Sequence, residues 1–210
     1  DLDGVLLNSD SDLSWAYTAI KKTLDHFDII CSKEHVELLY AMNTSKLIEA
    51  SEQIGVDPTQ LWPVRNRYYT TEKIKAMREN IIKPFPDIDQ LYHLKEKYEL
   101  CIVSNSPQHV VDFFIEQNKY TNLFSFGIGR GDTLQDIEQM KPHPYFFSKI
   151  KERTMLRSFL YIGDTEIDRQ FAQNTGMQFL LIDRHEKQDD GFSSLYELVS
   201  FLLLDAHDKK

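Results

Sequence analysis

Apolar residues in the first part of the chain recur at the three- and four-residue spacing of amphipathic helices. The spacing from Leu13 to Leu24 predicts one such helix. Thr44 or Ser45 is a candidate cap for a later helix, and Gly55 is placed to end it because glycine readily adopts a left-handed conformation. The pattern therefore predicts a largely helical segment.

An N-cap residue followed by proline marks the start of a longer helix in the same segment. Asp57 is a favoured helix cap, and Pro58 suits the first helical position because an N–H there would have no partner within the helix. The helix predicted from these residues runs to about Asn80. No strand pattern interrupts the chain between about Asp10 and Lys83.

Short apolar runs in the second part of the chain alternate with helical patterns. They cover residues 100–103, 124–128, 159–163 and 179–182. Continuous apolar runs bounded by turns are typical of strands that are buried on both faces, and their alternation with helices favours a parallel sheet. The polar stretch 129–140 is predicted to be a loop.

These patterns define a fold class and a division into domains. We predict an α/β protein with a Rossmann-like parallel-sheet core and a helical cap inserted after the first strand. Residues 1–10 and 83–210 are assigned to the core, and residues 11–82 to the cap. Ligands of open parallel sheets bind at the carboxyl ends of the strands, so we expect the cap to act as a lid there.

Two carboxylates lie two residues apart at the start of the sequence. Asp1 and Asp3 point to the same side of an extended chain, and Gly4 permits a sharp turn just beyond them. Carboxylates this close repel each other unless a cation lies between them or one of them holds a proton. A carboxylate pair facing a pocket also needs a rigid support, so we expect an apolar strand upstream of Asp1.

Further polar residues lie at or after the ends of the predicted strands. Ser104 and Asn105 follow the first run, Lys141 follows the polar stretch after the second, and Asp164 and Asp168 follow the third. Oxygen ligands favour Mg²⁺, and a hydroxyl beside a helix N-terminus suits an anion. The set suggests phosphoryl transfer, in which catalysis consists mostly of positioning and charge neutralisation.

Composition narrows the classes of partner. The chain has 210 residues, of which 41% are hydrophobic, and its formal net charge is -9 without a run of basic residues. Nucleic acid and anionic membranes are therefore not expected as partners. Two cysteines without a pairing pattern, and the lack of a spanning or signal segment, favour a cytoplasmic location. The oligomeric state is left open.

The ordered motifs resemble those of the haloacid dehalogenase-like hydrolase superfamily over the whole chain. The sequence DLDGV at 1–5 resembles the first motif and Ser104 the second, while KPHP at 141–144 and GDTEID at 163–168 resemble the third and fourth. The helical segment resembles the C1-type cap of the phosphoglycolate phosphatase and β-phosphoglucomutase branch. Asp3 implies phosphate-ester chemistry, because the family's dehalogenases lack an acid at that position.

The resemblance implies a role for each acidic residue. Asp1 would be the nucleophile that forms an aspartyl-phosphate, and Asp3 the general acid and then the base. Asp1, the carbonyl oxygen of Asp3, and Asp164 would bind Mg²⁺, with Asp168 either a further ligand or a residue that orients one. Contact with the metal is expected to lower the pKa of one carboxylate of the pair, and crowding to raise the pKa of Asp3.

The resemblance also implies how phosphate is held. Ser104 and Lys141 would bind the phosphoryl oxygens, helped by Asn105 and by the N–H groups that follow Asp1. These contacts would orient the phosphate of a small phosphorylated metabolite for attack.

The cap is expected to supply the remaining substrate contacts. Residues 42–46 resemble the family's substrate-specificity loop in position, and Lys46 is the candidate for an anionic or polar end of the substrate. A solvent-facing lysine is the alternative. A solvated face is expected for most of the three arginines on the long helix, which are Arg65, Arg67 and Arg78.

Three functions fit the sequence. The first is a Mg²⁺-dependent phosphatase, a phosphoric monoester hydrolase, acting on a small phosphorylated metabolite. The second is a phosphomutase of the β-phosphoglucomutase type; such relatives carry a histidine early in the first cap helix, and residues 10–19 contain none. The third is a non-enzymatic interaction protein on the same fold, which the intact motifs disfavour.

Overall fold

The first part of the chain is helical, as the spacing of its apolar residues predicts. The computed structural model describes residues 1–40, 43–184 and 191–205. The helices of this part are α1 (Ser14–Asp25), α2 (Lys33–Tyr40), α3 (Thr44–Ile54) and α4 (Pro58–Arg78).

The N-cap residue predicted from the sequence is confirmed for helix α4 and is wrong for helix α3. Asp57 caps α4 as predicted, with its carboxylate accepting a hydrogen bond from a main-chain N–H of the first turn. The prediction of Thr44 or Ser45 as the cap of α3 was wrong. The cap is Asn43, whose Oδ1 accepts a hydrogen bond from the N–H of Lys46 at 2.9 Å.

The second part of the chain carries the parallel strands that the apolar runs predict. The pairs are β3 with β4, and β5 with β6 and β7, all parallel, whereas the short strands β1 and β2 pair antiparallel. The strands are β1 (Leu7–Asn8), β2 (Lys83–Pro84), β3 (Cys101–Pro107), β4 (Phe126–Arg130), β5 (Leu160–Gly163), β6 (Gln178–Ile182) and β7 (Gly191–Phe192). The α/β class is therefore confirmed.

Helices connect and cover these strands. The helices are α5 (Gln108–Gln117), α6 (Leu134–Glu138), α7 (Tyr145–Arg153), α8 (Glu166–Thr175) and α9 (Leu195–Asp205), with 3-10 helices at Ile88–Leu94 and Tyr120–Asn122. Within the described ranges, no helix has the length and apolar character needed to cross a membrane.

Helix α6 lies inside the stretch 129–140 that was predicted to be a loop. Thr133 and Asp136 form a capping box at its start, in which each side chain accepts a hydrogen bond from the other residue's main chain. Ile137 is buried and packs into the apolar cluster of the cap helices. The short helix was missed because five residues are too few to show a helical period.

The helical segment has an apolar core of its own. Buried side chains from α1, α2, α3 and α4 form one cluster, which includes Leu24, Leu39, Leu47 and Trp62. The larger cluster of the α/β part also takes in Trp15 of α1 and residues near the end of α4. The division at residues 11–82 stays a prediction.

Helix α4 also contacts the loop between β4 and α6. Trp62 donates its indole N–H to the main-chain oxygen of Asp132 at 2.9 Å, and Asn66 Nδ2 donates to Asp132 Oδ1 at 2.6 Å. These contacts place one face of α4 over the carboxyl end of β4.

Asp87 joins three separate segments of the core. Its Oδ2 accepts hydrogen bonds from Arg184 Nη1 at 2.9 Å and from the N–H of Leu195 at 2.8 Å. Arg184 Nη2 donates to the main-chain oxygen of Val5 at 2.7 Å. The ion pair therefore ties the loop after Asp3 to the end of β6 and the start of α9.

We expect Asp87→Ala to lower the free energy of unfolding by about 3 kcal/mol, because it leaves the mostly buried Arg184 without its carboxylate. The exposed Asp89 is the matched control, and Asp89→Ala should change stability by less than about 0.5 kcal/mol. Urea unfolding followed by circular dichroism measures both. Equal stability of the two variants would contradict the structural role given to Asp87.

Candidate functional site

A cavity of about 360 Å³ lies between the cap helices and the carboxyl ends of the strands. Its walls include Asp1 and Asp164 from the α/β part and Trp62 and Tyr69 from α4. Most of the polar residues that the sequence singles out meet here, because parallel strands place their carboxyl ends at one edge.

Lys141 is the central cation of the site. Its buried ammonium lies 2.9 Å from Asp1 Oδ1 and 2.6 Å from Asp168 Oδ1, and it donates to Tyr161 Oη at 2.8 Å. Burial alone would lower the pKa of Lys141, but the contacts with Tyr161 and Asp168 outweigh burial and raise it above its ordinary value. Lys141 is therefore charged at neutral pH.

Asn105 fixes the loop that carries Lys141. Its Oδ1 accepts a hydrogen bond from the N–H of Lys141 at 2.7 Å, and its Nδ2 donates to the carbonyl oxygen of Lys141 at 3.1 Å. The two contacts with the main chain position Lys141. Asn105 also lines the cavity, and its amide nitrogen has a second N–H, so the expected contact with phosphate stays a prediction.

Asp168 is held from both sides. Lys141 and Tyr161 contact Oδ1, while Oδ2 accepts hydrogen bonds from the N–H of Thr165 at 3.2 Å and its hydroxyl at 2.6 Å. Burial raises the pKa of Asp168, but the Lys141 charge and these hydrogen bonds bring it down to about 2. Asp168 was expected to be either a metal ligand or a residue that orients one. Because both of its oxygens are engaged, these contacts favour the orienting role.

The surroundings of Asp164 raise its pKa, whereas those of Asp168 lower the pKa of that residue. Within the part of the chain that the structure describes, its buried Oδ1 has no hydrogen-bond partner. Burial and the nearby Asp168 raise the pKa of Asp164 to about 7. Gly4, at φ 74°, packs so closely on this carboxylate that a β-carbon at position 4 would collide with it. A glycine is therefore required beside the acid.

Asp1, Asp164 and Asp168 form a carboxylate cluster in which one oxygen from each lies within 4.8 Å of the others. The main-chain nitrogen of Asp1 donates to the carbonyl oxygen of Ile162 at 2.7 Å, which holds Asp1 beside β5. The partnerless oxygen of Asp164 and the all-oxygen donor set fit a hard divalent cation such as Mg²⁺. The residues present therefore suit the metal that the sequence predicts.

Asp3 lies apart from this cluster and pairs with a cap residue that the sequence analysis did not identify. Lys73 Nζ lies 2.6 Å from Asp3 Oδ1 and 2.7 Å from Oδ2, and Ser106 Oγ donates to Oδ2 at 2.8 Å. Burial raises the pKa of Asp3, but the charge of Lys73 and the hydrogen bonds from Lys73 and Ser106 outweigh it and hold the pKa below its ordinary value. The expectation that crowding raises the pKa of Asp3 was wrong for this arrangement.

Lys73 was missed because a lysine on a helix is usually solvated. In the structure its side chain is only 1% exposed. Trp62, Arg65, Tyr69 and Lys73 follow one another at spacings of three and four along α4, so they share one face. The presence of two aromatic residues on that face was the signal that could have identified it.

Ser104 lines the cavity but does not lie at a helix N-terminus. Strand β3 continues to Pro107, and α5 begins only at Gln108. Ser104 Oγ accepts a hydrogen bond from the N–H of Ser106 at 3.1 Å. The expected anion cradle of hydroxyl plus helix N-terminus is therefore corrected to a hydroxyl on an extended strand.

Lys46 is not among the residues that line the cavity. It lies in the first turn of α3. Met42, which was expected in the same loop, lies outside the described residues. The structure therefore does not bring the expected specificity residue to the site.

Two arginines occupy part of the cavity wall. Arg65 is buried and donates to the main-chain oxygens of Leu39 and Tyr40. Arg130, at the end of β4, is also buried and stacks over Trp62, with 4.7 Å between its guanidinium carbon and the ring centroid. Arg65 is the exception among the three arginines of α4, because its helix face is covered by the rest of the protein, whereas Arg67 and Arg78 are exposed as expected.

Comparison with known proteins places the chain in a family. Residues 1–182 match the family model for haloacid dehalogenase-like hydrolases. The chain therefore belongs to the haloacid dehalogenase-like hydrolase family.

Part of the chain is similar in sequence to two phosphoglycolate phosphatases. The phosphoglycolate phosphatase of Aliivibrio fischeri is 35% identical over 96 residues, which are 44% of this chain and 40% of that protein. The phosphoglycolate phosphatase of Rhodobacter capsulatus is 34% identical over 82 residues, 39% of this chain and 36% of that protein. The matches thus span well under half the length of these relatives.

Solved structures share the fold over nearly the whole chain. A predicted phosphoglycolate phosphatase from Haemophilus somnus superimposes with a TM-score of 0.69 at 21% identity, covering 96% of this chain and 95% of that one. CbbY from Rhodobacter sphaeroides, solved with phosphate, superimposes with a TM-score of 0.65 at 18% identity, covering 91% and 89%. These likenesses support the α/β architecture with its helical segment.

We expect Tyr161→Phe to lower the free energy of unfolding by about 1–3 kcal/mol, because it removes the hydroxyl that contacts Lys141, Asp168 and the oxygen of Val103. The exposed Tyr196 provides the control, since Tyr196→Phe makes the same chemical change at the surface. Chemical denaturation compares the two. A loss below about 0.5 kcal/mol in Tyr161→Phe would contradict a tightly coupled network around Lys141.

Proposed function

We propose that the protein is a Mg²⁺-dependent phosphatase that hydrolyses a small phosphorylated metabolite through an aspartyl-phosphate on Asp1. The observation that carries the proposal is the position of Asp1. Its carboxylate lies at the cavity, beside the charged Lys141 and within the cluster that Asp164 and Asp168 complete. The similarity to phosphoglycolate phosphatases supports the reaction class.

The contacts of Asp1 support its assignment as the nucleophile. Lys141 and the N–H of Leu2 both contact Oδ1, at 2.9 and 2.6 Å, and no hydrogen bond from the described residues reaches Oδ2, so Oδ2 is assigned as the nucleophilic oxygen. In the first half-reaction Oδ2 forms a bond to phosphorus as the ester oxygen leaves. In the second half-reaction water attacks phosphorus and regenerates the Asp1 carboxylate.

Asp3 moves the proton in both halves. It gives a proton to the departing ester oxygen and later takes one from the attacking water. The pair with Lys73 holds Asp3 ionised, which is the form that accepts a proton from water. Asp3 must therefore take up one proton from solvent before the first step, and the proton that it removes from water in the second step restores the protonated form.

The remaining groups hold the phosphoryl oxygens and balance charge. Lys141 and the hydroxyl of Ser104 face the cavity from the sheet edge and would bind the phosphoryl oxygens. Asp1, Asp164 and the carbonyl oxygen of Asp3 would hold Mg²⁺, with Asp168 orienting Lys141. When bound, Mg²⁺ neutralises charge on the phosphoryl group and on the clustered acids.

The test measures phosphate release from an aryl phosphate and from a panel of phosphorylated small molecules, with Mg²⁺ or with a chelator. We expect release only with Mg²⁺ and at least about 10³-fold less in Asp1→Asn, because the nucleophile is lost. Asp25→Asn, at an exposed position on α1, is the control and should keep the wild-type rate.

Thermal unfolding in the same buffers separates binding from catalysis. Mg²⁺ should raise the Tm of the wild type but not that of Asp164→Asn, because a ligand of the folded state stabilises it.

The absence of phosphate release under every condition would contradict the phosphatase. Conversion of a sugar 1-phosphate to the 6-phosphate without free phosphate would select the mutase.

A further inference from the structure

We propose that Arg65 and Arg130 form a second anion subsite, which binds a carboxylate or a second phosphate on the organic part of the substrate. The subsite lies in the cavity that holds Asp1 and Lys141. Its identification as part of a substrate site depends on the proposed function. The assignment rests on the burial, the charge and the shared surroundings of the two guanidinium groups.

Arg130 is a buried cation with little compensation. It is only 3% exposed, and within the described residues no carboxylate oxygen lies within 4.0 Å of its guanidinium. Its Nη1 donates a hydrogen bond to the main-chain oxygen of Gly131, at 3.1 Å. Burial and the nearby Arg65 lower the pKa of Arg130 to about 10, so it is still charged at neutral pH.

Arg65 presents a second positive charge to the same place. It is 5% exposed and donates to the carbonyl oxygens of Leu39 and Tyr40, which are neutral acceptors. Its guanidinium carbon lies 4.4 Å from the ring centroid of Tyr69 and 6.0 Å from that of Trp62. Burial lowers the pKa of Arg65 to about 10, which also leaves it charged.

Both guanidinium groups lie near the ring of Trp62, since that of Arg130 is 4.7 Å from the ring centroid. Two buried like charges are unfavourable unless an anion lies near both of them. Asp132 and Asp136 raise the pKa of Arg130 only from a distance, because neither forms an ion pair with it within 4.0 Å. Their carboxylates accept hydrogen bonds from Asn66 and Thr133 instead.

The cavity supplies the geometry that such a substrate requires. Lys141 and the acids at the strand ends would hold the phosphate, and the arginines on α4 and β4 would hold the second anion. The volume of about 360 Å³ suits a small molecule. Guanidinium groups bind carboxylates and phosphates through paired hydrogen bonds, so both anions are tested.

The experiment compares phosphate monoesters that differ only at their far end, which carries a carboxylate, a second phosphate or a neutral amide. We expect the wild type to prefer one of the anionic esters over the amide by about 10–100-fold in kcat/KM. Arg130→Gln should reduce this ratio towards one. Arg67→Gln, an exposed change on the same helix as Arg65, should keep it.

A binding measurement separates this proposal from the proposed function. Calorimetric titration of the protein compares a non-hydrolysable phosphonate that carries a carboxylate or second phosphonate with the matching neutral phosphonate. Tighter binding of an anionic compound that Arg130→Gln abolishes would support the subsite even if no ester were hydrolysed. Equal binding and equal hydrolysis of the anionic and neutral compounds would overturn the subsite and leave the phosphatase intact.

Arg65→Gln provides an independent variant if Arg130→Gln fails to fold. Circular dichroism and thermal unfolding establish that each variant is folded. A folded Arg65→Gln protein that keeps the full preference for anionic compounds would contradict the role of Arg65.

Discussion

The site depends on the buried contacts of Lys141. One ammonium lies within 3 Å of Asp1, Asp168 and Tyr161, and the amide of Asn105 fixes the main chain that carries it. A buried carboxylate is costly unless it is paired, so the acids at the strand ends depend on this cation. Asp164 lies beyond its direct reach and has the raised pKa that follows from burial beside another acid. The same network therefore explains both the stability of the site and its suitability for a divalent cation.

The helical segment contributes chemistry as well as cover. One face of α4 carries Trp62, Arg65, Tyr69 and Lys73, and the two basic residues on that face are buried. Lys73 sets the charge state of Asp3, the residue to which the proposed mechanism gives the proton transfer. Arg65 and Arg130 add positive charge to the wall of the same cavity. The cap segment and the α/β part thus form one continuous electrostatic environment.

Local signals in the sequence were sufficient for the long helices, the buried strands and the acids at the strand ends, but not for the five-residue helix α6. Buried parallel strands have continuous apolar runs, and their carboxyl ends meet at one edge, so Asp1, Lys141 and Asp164 could be placed together. The roles of individual side chains depended on tertiary contacts that no local pattern contains. Asn105 engages the main chain of Lys141, and Lys73 pairs with an acid 70 positions away. Burial of a helix face by the rest of the fold converts an apparently solvated basic residue into part of the site.

The central claim is that Asp1 becomes phosphorylated during turnover, and it is tested most directly by trapping the acyl-phosphate. The protein is mixed with substrate and Mg²⁺, quenched, and reduced with borohydride, which converts an aspartyl-phosphate to homoserine. Mass spectrometry of the peptide that contains Asp1 then locates the product. We expect homoserine at Asp1 only when substrate and Mg²⁺ are both present. Phosphate release without any modification at Asp1, or with modification at Asp3 instead, would contradict the proposed mechanism.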